Sequence, residues 1–149
     1  MNALDMHLFN AVIVKINALD GTLNNMKASK KILIIEDEKS LGKVASNKLQ
    51  SEGFEVLVLP DGVDALEVIQ SENPDLVLLD LIMPHVDGFT VLKTIKENPD
   101  LRDTKVIVLS NLSQDTDVDE ILKLGAEEFL VKSDTSLGEV VEAVKRHLS

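Results

Sequence analysis

Four short apolar runs in this chain each break off on a side chain that can do chemistry. Ile32 to Ile35 runs into three acids, Glu36, Asp37 and Glu38; Leu76 to Leu79 into Asp80; Lys105 to Leu109 into Ser110; and Glu128 to Val131 into Lys132. Taken alone, Asp80 starts a turn, which Met83-Pro84 and Asp87-Gly88 continue. Taken together, carboxylates from two such run ends would repel one another and hold protons tightly unless a cation sat among them. Every candidate ligand is an oxygen and none is a thiolate, which favours Mg²⁺ or Mn²⁺ over zinc. A lysine and a hydroxyl beside a metal-bound carboxylate can hold the oxygens of a transferred phosphoryl group, which would make Asp80 a nucleophile. Singly, Lys132 reads more simply as a solvated or ion-paired lysine and Ser110 as a helix cap.

What joins these residues is the order of the elements that carry them. Strands are predicted at Ile32–Ile35, Glu55–Leu59, Leu76–Asp80, Lys105–Leu109 and Glu128–Val131. Helices are predicted at Lys39–Glu52 (through Leu41, Val44, Ala45 and Leu49), at Val63–Ser71 (with Ala65, Leu66 and Ile69 inward), and at Gly88–Glu97, Gln114–Leu124 and Ser136–Leu148. Gly53, Asn73-Pro74, Asn98-Pro99 and Gly125 punctuate them. Strict strand-helix alternation implies a parallel sheet with right-handed crossovers and helices on both faces. All strands then end on one edge, the edge where open α/β sheets bind ligands, so Glu36, Asp37, Asp80, Ser110 and Lys132 are expected at one rim.

The whole-chain properties narrow the rest. A length of 149 residues suits one domain with a full core. A net charge of -11 argues against a nucleic-acid partner, because phosphate contacts need clustered Lys and Arg. With no cysteine there is no disulfide or thiol chemistry, which fits a reducing, cytoplasmic setting. No apolar run approaches the ~18 residues of a membrane span, so no membrane insertion is expected. Residues 1–26 stand apart as an N-terminal extension: Phe9, Val12, Ile16, Leu19, Leu23 and Met26 have helical spacing, opposed by Val12-Ile13-Val14 and Gly21. The segment reads as a short helix, a tag or a misplaced start, with the domain proper at residues 27–149.

From about Lys30 onward the chain resembles the receiver domain of two-component response regulators, of the stand-alone single-domain type. The resemblance rests on the acid cluster after the first strand, Asp-x-x-Met-Pro-x-x-Asp-Gly at Asp80 to Gly88, Ser110 after the fourth strand and Lys132 after the fifth. It implies a flavodoxin-like (βα)5 doubly wound parallel sheet of strand order 2-1-3-4-5. Asp80 would be the phosphoacceptor, Asp37 a direct Mg²⁺ ligand, Glu36 an outer acid acting through water, and the backbone carbonyl of Ile82 a further ligand. Ser110 would be the switch hydroxyl, Lys132 the phosphate-contacting lysine and Phe129 the switch aromatic. The donor would be a sensor histidine kinase or a histidine phosphotransfer protein. The output would be a changed α4-β5-α5 face that binds a downstream protein, with a homodimer on activation left open. Because the sequence stops after the fifth helix, no output domain is expected. Such a protein catalyses its own phosphorylation and dephosphorylation rather than turnover of an external substrate.

The chain departs from that pattern in three ways. Lys132 is followed by Ser133 where the family usually has proline, so a trans loop and a slightly displaced Lys132 are expected. Asn111 follows Ser110 where many receivers have a smaller residue, which would narrow access to the phosphoryl group. Ile82 and Leu112, at positions flanking the phosphate, are both apolar and cannot orient water, so slow self-hydrolysis is expected. These departures keep a phosphorylation-independent pseudo-receiver as the alternative. A phosphohydrolase of the haloacid dehalogenase kind would need an acid at Ile82, and a flavodoxin proper would not tolerate Glu36-Asp37-Glu38 near a flavin phosphate. His85, in the loop after Pro84, is expected at the surface. Asp115 to Glu120 reads as the acidic start of the fourth helix.

Overall fold

A computed structural model describes residues 29–111 and 115–149, with residues 2, 3, 5, 6 and 8; for residues 115–117 only the backbone is described. Ala3, Asp5, Met6 and Leu8 are helical, and the rest of the reading of residues 1–26 lies outside the described residues.

The strands are β1 (Lys31–Ile35), β2 (Glu55–Leu59), β3 (Leu76–Leu79), β4 (Lys105–Ser110) and β5 (Glu128–Val131). The helices that alternate with them are α1 (Lys39–Ser51), α2 (Ala65–Glu72), α3 (Gly88–Glu97), α4 (Asp115–Lys123) and α5 (Leu137–Leu148), with a 3₁₀ turn at Lys132–Asp134. All strand pairings are parallel, in the order β2-β1-β3-β4-β5. The expected fold class and strand order are therefore observed, with element ends shifted by a residue or two. Asp80 falls just past β3 rather than inside it, and Ser136 caps α5 by accepting the Glu139 N–H at 3.1 Å.

The period of two along the central strands divides the core into two layers. Leu33, Ile35, Val77, Leu79, Val106 and Val108 face Ala65 and Ile69 of α2, Val91, Leu92 and Ile95 of α3, and Ile121 of α4. Ile32, Ile34, Leu76, Leu78 and Ile107 face Leu49 of α1 and Val140, Val141, Ala143 and Val144 of α5. Helices thus cover both faces and leave the strand ends open. The α1 stripe is covered only in its second half: Leu49 is fully buried, whereas Leu41 and Val44 are 40% and 52% exposed. The helical spacing was right, but α5 packs across only part of the stripe. Gly53 stops α1 with φ +96°, a backbone that a side chain would strain. At the far end of α5, Arg146 and His147 both bind the Glu128 carboxylate, tying the helix to β5. Partial burial of Glu128 works against its charge, but the Arg146 and His147 contacts prevail and hold its carboxyl below the usual range.

Candidate functional site

Backbone register does most of the assembly. Ile35 pairs with Leu79, and the next residues leave their strands side by side: the Asp80 N–H donates to the Ile35 carbonyl at 3.1 Å, and the Glu36 N–H to the Leu59 carbonyl at 3.0 Å. β4 and β5 continue through the pair Ser110 and Val131, which brings Ser110 and Lys132 to the same rim. The turn after Asp80 closes tightly, with the Gly88 N–H on the Leu81 carbonyl at 3.1 Å and Asp87 capping α3 through the Phe89 N–H at 3.0 Å. His85 is exposed, as expected, and has φ +72°. The Val86 N–H bonds back to the Pro84 carbonyl at 2.9 Å, so His85 is the centre of a strained γ-turn beside the site.

Glu36, Asp37 and Asp80 each offer an oxygen, and these oxygens all lie within 4.8 Å of one another. Glu36 and Asp80 are buried and Asp37 is exposed. The Lys132 ammonium lies between the two buried acids, 2.5 Å from Glu36 Oε1 and 3.0 Å from Asp80 Oδ2. The other Asp80 oxygen, Oδ1, accepts the Ile82 N–H at 3.1 Å. A cavity of about 170 Å³ between α1 and α5, walled by Leu41, Ala45, Leu109 and Val140, reaches the same acids, so their surroundings are largely apolar. Burial pushes the Glu36 carboxyl up to about 7, and Asp80 adds to this while Lys132 opposes it. For Lys132, burial works against the charge, but its bonds to Glu36 and Asp80 prevail and raise its proton affinity.

Ser110 is fully buried, and its hydroxyl has no hydrogen-bond partner among the described residues. Such an orphan costs about 1–3 kcal/mol. Phe129 sits on β5 opposite Val108, half-buried against the core. Ile82 presents a 57% exposed side chain and no polar side-chain atom, while Leu112 lies outside the described residues. The described residues contain no cis peptide bond, so the loop after Lys132 is trans as expected, and Lys132 still reaches both acids. Sequence reasoning missed the work of Asn111: its Oδ1 accepts the Ser133 N–H at 2.9 Å. Only strand register, which places Ser110 against Val131, makes those two residues neighbours.

The donor set fits one hard divalent ion: three carboxylates close enough to converge, with no nitrogen or sulfur ligand in the group among the described residues. Glu36 must lose its proton to serve such an ion, so affinity for Mg²⁺ should climb with pH through about 7 and level off above it. Titration calorimetry at pH 6 and pH 8 checks this. A flat profile would mean that Glu36 takes no part.

The family model of the response regulator receiver domain matches residues 32–145. The chain belongs to this family. It is 30% identical to the BeF₃-activated N-terminal receiver domain of Klebsiella pneumoniae RstA, with a TM-score of 0.73 over 80% of this chain and 98% of that one. The Mn²⁺-bound form of response regulator Rcp1 is 34% identical, with a TM-score of 0.69 over 78% of this chain and 91% of that one. Among curated proteins, a probable transcriptional regulator ycf27 of Galdieria sulphuraria is 38% identical over 110 residues, 74% of this chain. The receiver spans about two fifths of that relative's length, 42%.

These relatives correct one expectation. The absence of a nucleic-acid partner was inferred from net charge, yet the curated relatives are probable transcriptional regulators, and transcription is regulated at DNA. The charge of a receiver describes only its own surface, and more than half of each such relative lies outside the matched part. Among the described residues, no helix is long and apolar enough to cross a membrane.

Proposed function

We propose that this receiver is a phosphorylation-dependent signalling switch in which Asp80 accepts a phosphoryl group from a phosphohistidine of a sensor histidine kinase or histidine phosphotransfer protein. The observation that carries the reading is the meeting at one rim of a buried carboxylate, a lysine 3.0 Å from it, and an orphaned hydroxyl. An Asp80 oxygen forms the bond to phosphorus as the P–N bond breaks, and the imidazole nitrogen leaves with the electron pair and takes up a proton. Glu36, Asp37 and Asp80, with the Ile82 carbonyl, would hold Mg²⁺ or Mn²⁺, which supplies charge neutralisation for the phosphoryl oxygens; the Mn²⁺-bound relative supports this choice. Lys132 would pass from the acids to a phosphoryl oxygen, and Ser110 would donate its hydroxyl to another.

Movement of Ser110 toward the phosphoryl group frees space for Phe129, and the face formed by α4, β5 and α5 changes shape for a downstream partner. We place the domain, residues 27–149, in the cytoplasm, a setting that a cysteine-free chain fits.

The test is intact mass after incubation with Mg²⁺ and a small acyl phosphate. One added phosphoryl group is expected, absent in Asp80→Asn and in chelator. No gain, together with an unchanged NMR signal for Phe129 on adding beryllofluoride, would instead establish a pseudo-receiver. With an apolar side chain at Ile82, the phosphorylated form should persist for minutes or longer once the donor is removed. A lifetime of seconds, followed by the same mass measurement, would refute that slow hydrolysis.

A further inference from the structure

The turn that carries Lys132 has few anchors. Thr135 Oγ1 donates to the Val131 carbonyl at 2.7 Å, which closes the turn on itself. The Asn111 side chain ties it to the rest of the rim, accepting the Ser133 N–H at 2.9 Å across 22 residues of sequence. Asn111 directly follows Ser110, whose hydroxyl is buried without a partner, and Ser133 directly follows Lys132, whose ammonium lies between Glu36 and Asp80. One hydrogen bond thus links the two loops that carry the two phosphoryl-facing groups. It extends the β4–β5 ladder past its last backbone pair, Ser110 and Val131, with a side-chain acceptor in place of a backbone one. It also depends on Ser133 not being proline, since only a residue with an N–H can donate.

We propose that Asn111 is a positioning residue that sets the Lys132 turn and couples its position to that of Ser110. This rests on the phosphoryl-transfer reading of the site and deepens it. When Ser110 moves toward a phosphoryl group on Asp80, the clasp draws the Lys132 turn with it, so hydroxyl and ammonium reach the group together. Asn111 and Ser133 are both exposed and lie outside the core and the carboxylate cluster.

The experiment compares the wild-type protein, Asn111→Ala, Ser133→Pro and the double variant by calorimetric titration with Mg²⁺ alone and with beryllofluoride at saturating Mg²⁺. Asn111→Ala should weaken beryllofluoride about tenfold without weakening Mg²⁺, because Lys132 is a cation bound to the acids and cannot ligate the ion. In the Ser133→Pro background, where no N–H is left to bind its Oδ1, Asn111→Ala should cause no further loss. In Asn111→Ala the Ser133 amide should also exchange with deuterium faster, which reports the bond itself. Unchanged beryllofluoride affinity, additive losses, or a parallel fall in Mg²⁺ affinity would each overturn the role of Asn111. Failure of the wild-type protein to take up beryllofluoride through Asp80 would instead sink the phosphoryl-transfer reading, and this role with it.

Discussion

Lys132→Met should be destabilised by about 3 kcal/mol at pH 8 in chelator, and much less at pH 6 or in saturating Mg²⁺. Lys132 is the cation bound to both Glu36 and Asp80, whose side chains are 7% exposed, so its removal leaves two neighbouring carboxylates without their counter-charge, Asp80 keeping only the Ile82 N–H. Glu36 already holds its proton up to about pH 7 in the wild-type protein, chiefly through burial, and loss of the opposing ammonium pushes that value higher. The sign follows from proton counting: a carboxyl raised in the folded state binds more protons folded than unfolded. Its contribution is therefore favourable at low pH and is lost as pH rises from the ordinary carboxylate range through the folded value. A divalent ion restores the missing charge and stabilises by mass action. Urea denaturation across pH, with and without Mg²⁺, separates these effects; a pH-independent loss that the ion does not rescue would mean that Lys132 only packs. Phosphorylation by a small acyl phosphate should fall by about 10²-fold or more in the same variant, the usual scale for deleting one preorganised donor to a reacting oxygen.

The rim was legible in the sequence because β1, β3, β4 and β5, past a charged first residue in all but β3, run apolar up to a polar residue at the strand end. Asp80 and Lys132 could be placed on one edge from alternation alone, since parallel strands must all end on the same side. The orphaned Ser110 hydroxyl and the Asn111 clasp were not legible, and an ion-paired Lys132 was legible only without its two partners, because each depends on side-chain reach across register. Asn111 was read as an obstacle from its size, whereas its amide oxygen is what a turn with a free Ser133 N–H needs. The half-covered stripe of α1 was not legible for a similar reason: periodicity shows which face is apolar, and only packing decides how much of it is buried. The nucleic-acid exclusion failed at another level, because net charge was treated as a property of the whole protein's partners when it describes one domain's surface.

Gly88→Ala is the smallest change expected to disable the site. A Cβ on Gly88 would lie 2.4 Å from Leu81 Cα and 2.5 Å from the Asp80 carbonyl oxygen, distances at which backbone and not merely a side chain must move. Nothing flexible stands in the way to yield: the Gly88 N–H holds the Leu81 carbonyl at 3.1 Å, Asp87 caps α3, and Asp80 is tied through its own N–H to Ile35. Relief therefore requires either that α3 retreat from the end of β3, opening the layer around Val91 and Leu92, or that the Asp80–Leu81 backbone shift. The first route costs core contacts and the second displaces the phosphoacceptor from Lys132 and the Ile82 N–H. Overpacking of this kind costs about 3 kcal/mol, and a displacement of the order of 1 Å at the nucleophile lowers phosphorylation about 10²-fold. Denaturation midpoints and acyl-phosphate labelling of Gly88→Ala distinguish the two routes. Loss of stability with labelling intact means that the helix moved, loss of labelling with little loss of stability means that Asp80 moved, and a variant normal in both respects would contradict the close approach itself.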